Sequence, residues 1–230
     1  ALDILKKGIP PKVDPIIFEQ LNGEQIQKAA MRTNGAAGVS GGDAEHWKRC
    51  LAAFRPDSML LCDAMAAMGR RLCTDFVDPG VLSAFLANRL VPLDKNPGTR
   101  PVGIGEVPRR IIGKAIMVIL KSDVVKAAGV TQLCVGQEAG IEAIIHAMIE
   151  LFRADETDAL LLVDATNAFN KLNRAVALHN IRFICPPIST VLITRDCLCA
   201  EVQSWLCGGH YTRMPICDGD VCIGSDAISR

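Results

Sequence analysis

The chain has 230 residues, half of them apolar and 22% charged, which is a globular composition long enough to bury a sizeable core. Its longest unbroken apolar run, Ala115–Leu120, is six residues, against the roughly 20 that a membrane-spanning helix needs. The 25 Lys and Arg balance 25 Asp and Glu, so no global field draws the chain to nucleic acid or membrane, and such binding requires a local patch.

The sequence opens on Ala1 without a signal-like segment and reads as a piece of a longer polypeptide. The 10 cysteines are scattered, which argues for reduced thiols in an intracellular setting and against a disulfide framework. Cys50, Cys62 and Cys73 fall inside apolar helical patterns and are expected to pack as small hydrophobes.

In chain order, Pro15–Met31 suits an extended start and a short helix. The stretch Thr33–Gly42, rich in Gly, Ser and Asn, reads as a loop. Asp43 is placed to cap a helix reaching Arg55, and Ser58 another reaching Phe76, with Leu61, Met65, Met68 and Leu72 as its core stripe. A short helix is expected over Val81–Ala87, after Asp78-Pro79-Gly80. Arg89–Leu93 and Arg100–Ile104 flank Asn96-Pro97-Gly98, which predicts a β-hairpin with a polar tip. Pro92 and Pro101 push both strands toward edge positions. A long helix follows over Pro108 to about Ala128, with fraying expected near Ser122.

Ile141, Ile144, Ile145, Met148 and Phe152 form one helical stripe, and Glu142, His146 and Glu150 lie opposite. The run Ala159–Val163 suits a buried strand, with Asp164 at its carboxyl end and a helix from Leu172 to about Ile181. Beyond Pro186-Pro187 the periodicity fades, and the last 30 residues predict no element.

The neutral total hides a partition. Residues 1–88 balance 10 basic against 10 acidic side chains; residues 89–126 carry eight basic against three acidic, and residues 129–170 seven acidic against one basic. A basic block followed by an acidic one suits phosphate binding next to cation binding, or two solvated faces of opposite sign.

Two local features can carry chemistry. Asp164 at a sheet rim can hold Mg²⁺ or cap the following helix. Lys95 at the hairpin tip and Arg100 at the start of its second strand can grip a triphosphate as a point charge and a planar fork, or stand as two exposed cations on a turn.

Taken in order, LVPLDKNPGTRPVGIGEVPRRIIGKAI, CVGQEAGIEAIIHAM and LLLVDATNAFNKLNR resemble the reverse transcriptase domain of retroelement polymerases. More narrowly, residues 15–190 resemble retrotransposon-derived reverse-transcriptase-like proteins, as does the stretch TNGAAGVSGGDAEHWKRCLAAF. The resemblance implies a mixed α/β (α+β), helix-dominated fold: a partial right-hand polymerase with fingers and an incomplete palm. It divides the chain into an N-terminal helical region 1–88, a fingers-like hairpin and helices 89–158, a partial palm 159–190 and an unassigned tail 191–230.

By the same resemblance, Lys95 and Arg100 would hold the incoming nucleotide, and Gln137 and Gly140 would shape the template and nucleotide pocket. Asp164 would be the first metal-binding aspartate, with the Ala165 carbonyl beside it, and Phe169 would exclude a 2′-hydroxyl. The implied activity is nucleotidyl transfer, RNA-directed DNA synthesis with Mg²⁺ on an RNA or DNA template-primer. The Gln-Gly-x-Pro motif and the paired-aspartate hairpin of that family are not recognisable after Asn180, so the chain reads as an incomplete or inactive fragment. Asp218-Gly219-Asp220 only superficially resembles the missing pair.

Two other readings stand beside it. One is a non-catalytic nucleic-acid-binding module. The other is a zinc-binding interaction protein using Cys185, Cys197, Cys199, Cys207, His210, Cys217 and Cys222, which lack paired Cys-x-x-Cys units.

Overall fold

The computed structural model describes residues 8–94, 96, 98–130, 132, 138–154, 159, 161, 163, 173–196, 203–206 and 210–213. Asp14 accepts from the Ile16 N–H at 3.0 Å and starts a 3₁₀ turn over Pro15–Gln20, which buries Phe18. Asn22 then caps α1 (Gly23–Met31) by accepting from Gln25 N–H. Asp43 caps α2 (Ala44–Ala52) through the His46 N–H at 2.8 Å, as the sequence predicts.

The helix α3 (Asp57–Thr74) differs from expectation in two respects. Ser58 is not its cap: fully buried, its hydroxyl accepts from Phe54 N–H and donates to the Cys50 carbonyl, tying α2 to α3. The buried face is Cys62, Met65, Ala66, Gly69 and Cys73, while Leu61 and Met68 are exposed. Small residues win this face because α1 and its approach come very close. A Cβ on Gly69 would stand 2.7 Å from Leu21 Cδ2 and 3.1 Å from Ile112 Cγ2.

Asp78 caps α4 (Pro79–Leu86) through the Gly80 N–H, and proline occupies the first turn, where its missing N–H costs nothing. The predicted hairpin follows as β1 (Asn88–Asp94) and β2 (Thr99–Gly105), in antiparallel register with Arg89 opposite Ile104 and Pro92 opposite Pro101. Short strands β3 (Gln203–Leu206) and β4 (His210–Arg213) extend the sheet in the order β2-β1-β3-β4. β2 is thus an edge, as its proline requires. β1 is flanked on both sides only over Asn88–Leu90, before Pro92. These last strands lie in the final 30 residues, for which no element is predicted.

Glu106 leads directly into α5 (Val107–Ala128), 22 residues without a break at Ser122. Its apolar face (Val107, Ile111, Ile112, Ala115, Ile116, Leu120) joins Phe18, Leu21, Ile26, Leu51 and the small face of α3 in one core. Further on come α6 (Gly140–Arg153), α7 (Arg174–Ile184, capped by Asn173) and α8 (Pro186–Asp196). Ile188 and Val191 of α8 pack against that core. Helix dominance with a small sheet therefore holds.

Two expectations of burial fail. The apolar stripe of α6 forms, yet Ile141 is 66% and Phe152 58% exposed, and no described element packs closely on it. Periodicity makes the helix; nothing described covers its face. Ala159, Leu161 and Val163 have no regular structure, and Leu161 and Val163 are 86% and 81% exposed. A central strand needs paired neighbours and two covered faces, and no described strand lies beside this run.

Candidate nucleic-acid interface

Of the residues assigned by resemblance, Lys95, Gln137, Asp164, Ala165 and Phe169 lie outside the described residues. Arg100 is described as backbone in β2, paired opposite Leu93. Gly140 is the buried first residue of α6, after Ala139 in the left-handed region at φ 53°. The register places Arg100 one residue past the Asp94–Thr99 pair that closes the hairpin.

The described chain does assemble a basic surface that the sequence reading passed over. A groove of about 710 Å³ runs between α1 and α5, and six of its lining side chains are Lys or Arg while none is acidic. They are Lys28 and Arg32 from α1 and its end, and Arg109, Arg110, Lys114 and Lys121 from α5. Ala29, Gly113, Met117 and Val118 supply its apolar part. Spacing on α5 explains the stripe: Arg110, Lys114 and Lys121 stand at i, i+4 and i+11, one face of a 3.6-residue helix.

The loop 33–42 is tied to the start of α5 beside this groove. Arg110 donates to the carbonyls of Asn34 (3.3 Å) and Ala36 (2.7 Å), and Lys114 to that of Arg32 (2.9 Å). Glu106, 5% exposed, accepts from the Ser40 N–H at 2.8 Å and from its hydroxyl at 2.6 Å. A Cβ at Gly38 would lie 2.6 Å from Glu106 Oε1, so this close approach requires glycine. Arg109 reaches the other way, to the Leu86 carbonyl (2.8 Å) and Asn88 Oδ1 (2.6 Å), fixing the base of the hairpin to α5.

These partners are mostly neutral carbonyls, which satisfy donors without cancelling charge. Lys28 also forms a salt bridge with the Glu24 carboxylate at 2.7 Å. That hydrogen bond, and then the charge of Lys28, hold the Glu24 carboxyl below its ordinary value. The described lining of the groove thus carries Lys and Arg without a carboxylate.

No group of three or more His, Cys, Asp or Glu is placed to hold a metal among the described residues. Of the proposed zinc ligands, Cys185 is described as a buried free thiol; His210 is described only as backbone in β4, and Cys197, Cys199, Cys207, Cys217 and Cys222 lie outside the described residues. No described helix is long and apolar enough to cross a membrane. No known protein family and no curated protein matches the chain.

Proposed function

We propose that the chain is a reverse-transcriptase-like protein whose fingers-like part binds template-primer and nucleotide, with catalysis left to a more complete relative or parent. The observation that carries the reading is the hairpin itself. Its turn lies between Asp94 and Thr99, and β2 runs through Glu106 straight into the basic helix α5, in the motif order read from the sequence. Lys95 and Arg100 flank that turn and would hold phosphate.

The exposure of Leu161 and Val163 withdraws the buried palm strand from this reading. What remains of the metal site is one recognisable carboxylate, Asp164, with the Ala165 carbonyl. Two-metal phosphoryl transfer needs several carboxylates around two cations about 4 Å apart, so this donor set does not fit and no reaction step is assigned to it. A single carboxylate with water holds Mg²⁺ weakly.

Primer extension on RNA and DNA templates in Mg²⁺ tests the proposal. The expected result is binding of primed template without extension. Extension that Asp164→Asn abolishes would place a complete catalytic centre in this chain and overturn the fragment reading. The second reading, a non-catalytic nucleic-acid-binding module derived from a retroelement, is favoured by the α1–α5 groove. It is separated from a catalytic polymerase by template-primer extension with Mg²⁺ and a deoxynucleotide.

A further inference from the structure

We propose that the groove between α1 and α5 is a phosphate track for one single strand of nucleic acid, separate from the hairpin tip. The inference rests on the nucleic-acid-binding part of the proposed function and not on the polymerase part.

Charge is the first ground. Lys28, Arg32, Arg110, Lys114 and Lys121 line one groove with no acidic residue in its lining, and Lys28 is paired with Glu24. Cations placed side by side repel, and a polyanion relieves that repulsion while releasing its own counterions. Arg110 is held by loop carbonyls and Lys114 by the Arg32 carbonyl at the end of α1, so little side-chain freedom is lost when an anion arrives.

Shape is the second. Arg110 to Lys121 spans about 16 Å of helix at 1.5 Å per residue, matching about five nucleotide steps at 3.4 Å rise. Helices in contact lie only about 8–10 Å apart, so the furrow between them suits one strand better than a duplex.

Gly113 is the third. It sits at mid-helix, where glycine is costly, yet a Cβ there would meet nothing within 4 Å. Internal packing thus gives no reason for glycine at the groove floor, while a strand drawn close against the helix backbone does. Neither aromatic nor amide side chains supply stacking or base-edge contacts along α5 here, and only Gln25 is an amide in the lining. The track is therefore for phosphates and is indifferent to base sequence.

The experiment measures binding of the full chain to labelled 20-nucleotide single strands, oligo-U and oligo-dT, across a salt series. The variant Lys28→Gln/Arg32→Gln/Lys121→Gln removes three exposed cations that do not hold the loop. At about 0.7 log units per phosphate contact, the slope of log affinity against log salt should shrink by about 2, and binding at 0.1 M salt should fall on the order of 100-fold. RNA and DNA strands should behave alike. An equal charge change elsewhere, Lys12→Gln/Arg49→Gln/Arg71→Gln, should leave most of the affinity intact. Should the triple variant fail to fold, Lys121→Glu alone must weaken binding, as must Gly113→Leu.

Unchanged slope in the groove variant, equal loss in the control variant, or equal competition by polyglutamate would each overturn the proposal. Loss of strand binding in Lys95→Ala/Arg100→Ala with full binding in the groove variant would overturn it while leaving the hairpin reading standing. The opposite pattern supports the groove.

Discussion

Ser40 and Glu106, 66 residues apart, form a two-point latch: the Ser40 N–H and hydroxyl both donate to the buried Glu106 carboxylate, at 2.8 and 2.6 Å. The latch closes the glycine-rich loop 33–42 onto the start of α5, where the hairpin ends and the basic stripe begins. Ser40→Ala removes one donor from a buried carboxylate, and such losses cost about 1–3 kcal/mol. Denaturant unfolding should show a midpoint lowered accordingly. A change within about 0.5 kcal/mol, the range of ordinary surface substitutions, would show that the latch does not hold the loop.

The core and α6 should respond oppositely to truncation. Ile111 and Leu51 are fully buried, so replacing either with Ala should cost about 2–5 kcal/mol. Ile145 and Ile149 of α6 are 52% and 40% exposed, so Ile145→Gln or Ile149→Gln should stay within about 0.5 kcal/mol in this chain. Thermal melts of the four variants check the contrast. A large loss at Ile145 or Ile149 would mean that the α6 stripe is covered.

Burial pushes the Cys73 thiol up to about 12 from its ordinary 9.0, and it raises Cys62 too, with the Asp63 carboxylate adding to the effect there. An unfolded chain loses these protons near pH 8.5, while the folded one keeps the Cys73 proton to about 12. The unfolded state then binds fewer protons, so this contribution to stability is complete below about pH 8.5 and is lost as pH rises toward 12. Melts at pH 7.5 and 10 should show the loss, and Cys73→Ala should reduce it. In the native protein Cys73 should also resist alkylation that modifies it readily in denaturant; labelling at the denatured rate would contradict the buried placement.

Local chemistry was legible in the sequence where it was self-contained. Asp43 caps the helix expected of it, a short helix follows Asp78 as expected, and Asn-Pro-Gly between apolar stretches marks the hairpin within a residue of its paired register. What depends on distant partners was not. The α3 stripe lies on the face of Cys62, Ala66 and Gly69, because Leu21 and Ile112 press against it, and neither is near in sequence. Lys28 and Arg32 join Arg110 and Lys114 across about 80 residues, so a charge count by segment shows α5 as basic and hides the groove. The Pro186-Pro187 pair, which ends the readable pattern, opens α8, since proline is at home in a helix's first turn. In the candidate site, Arg100 and Gly140 are placed, while Lys95, Gln137, Asp164, Ala165 and Phe169 are outside the described residues.

The claim that this chain grips primed template through a fingers-like hairpin is tested most directly by a gel shift at two salt concentrations, comparing the parent chain with Lys95→Ala/Arg100→Ala. The account predicts a shift by the parent at low salt that weakens at high salt. It also predicts a weaker shift for the variant, with a salt dependence flatter by about 1.4 to 1.8 in slope for two lost phosphate contacts. A folded parent chain that fails to shift primed template at low salt, or a variant that shifts it as well as the parent does, would contradict the account.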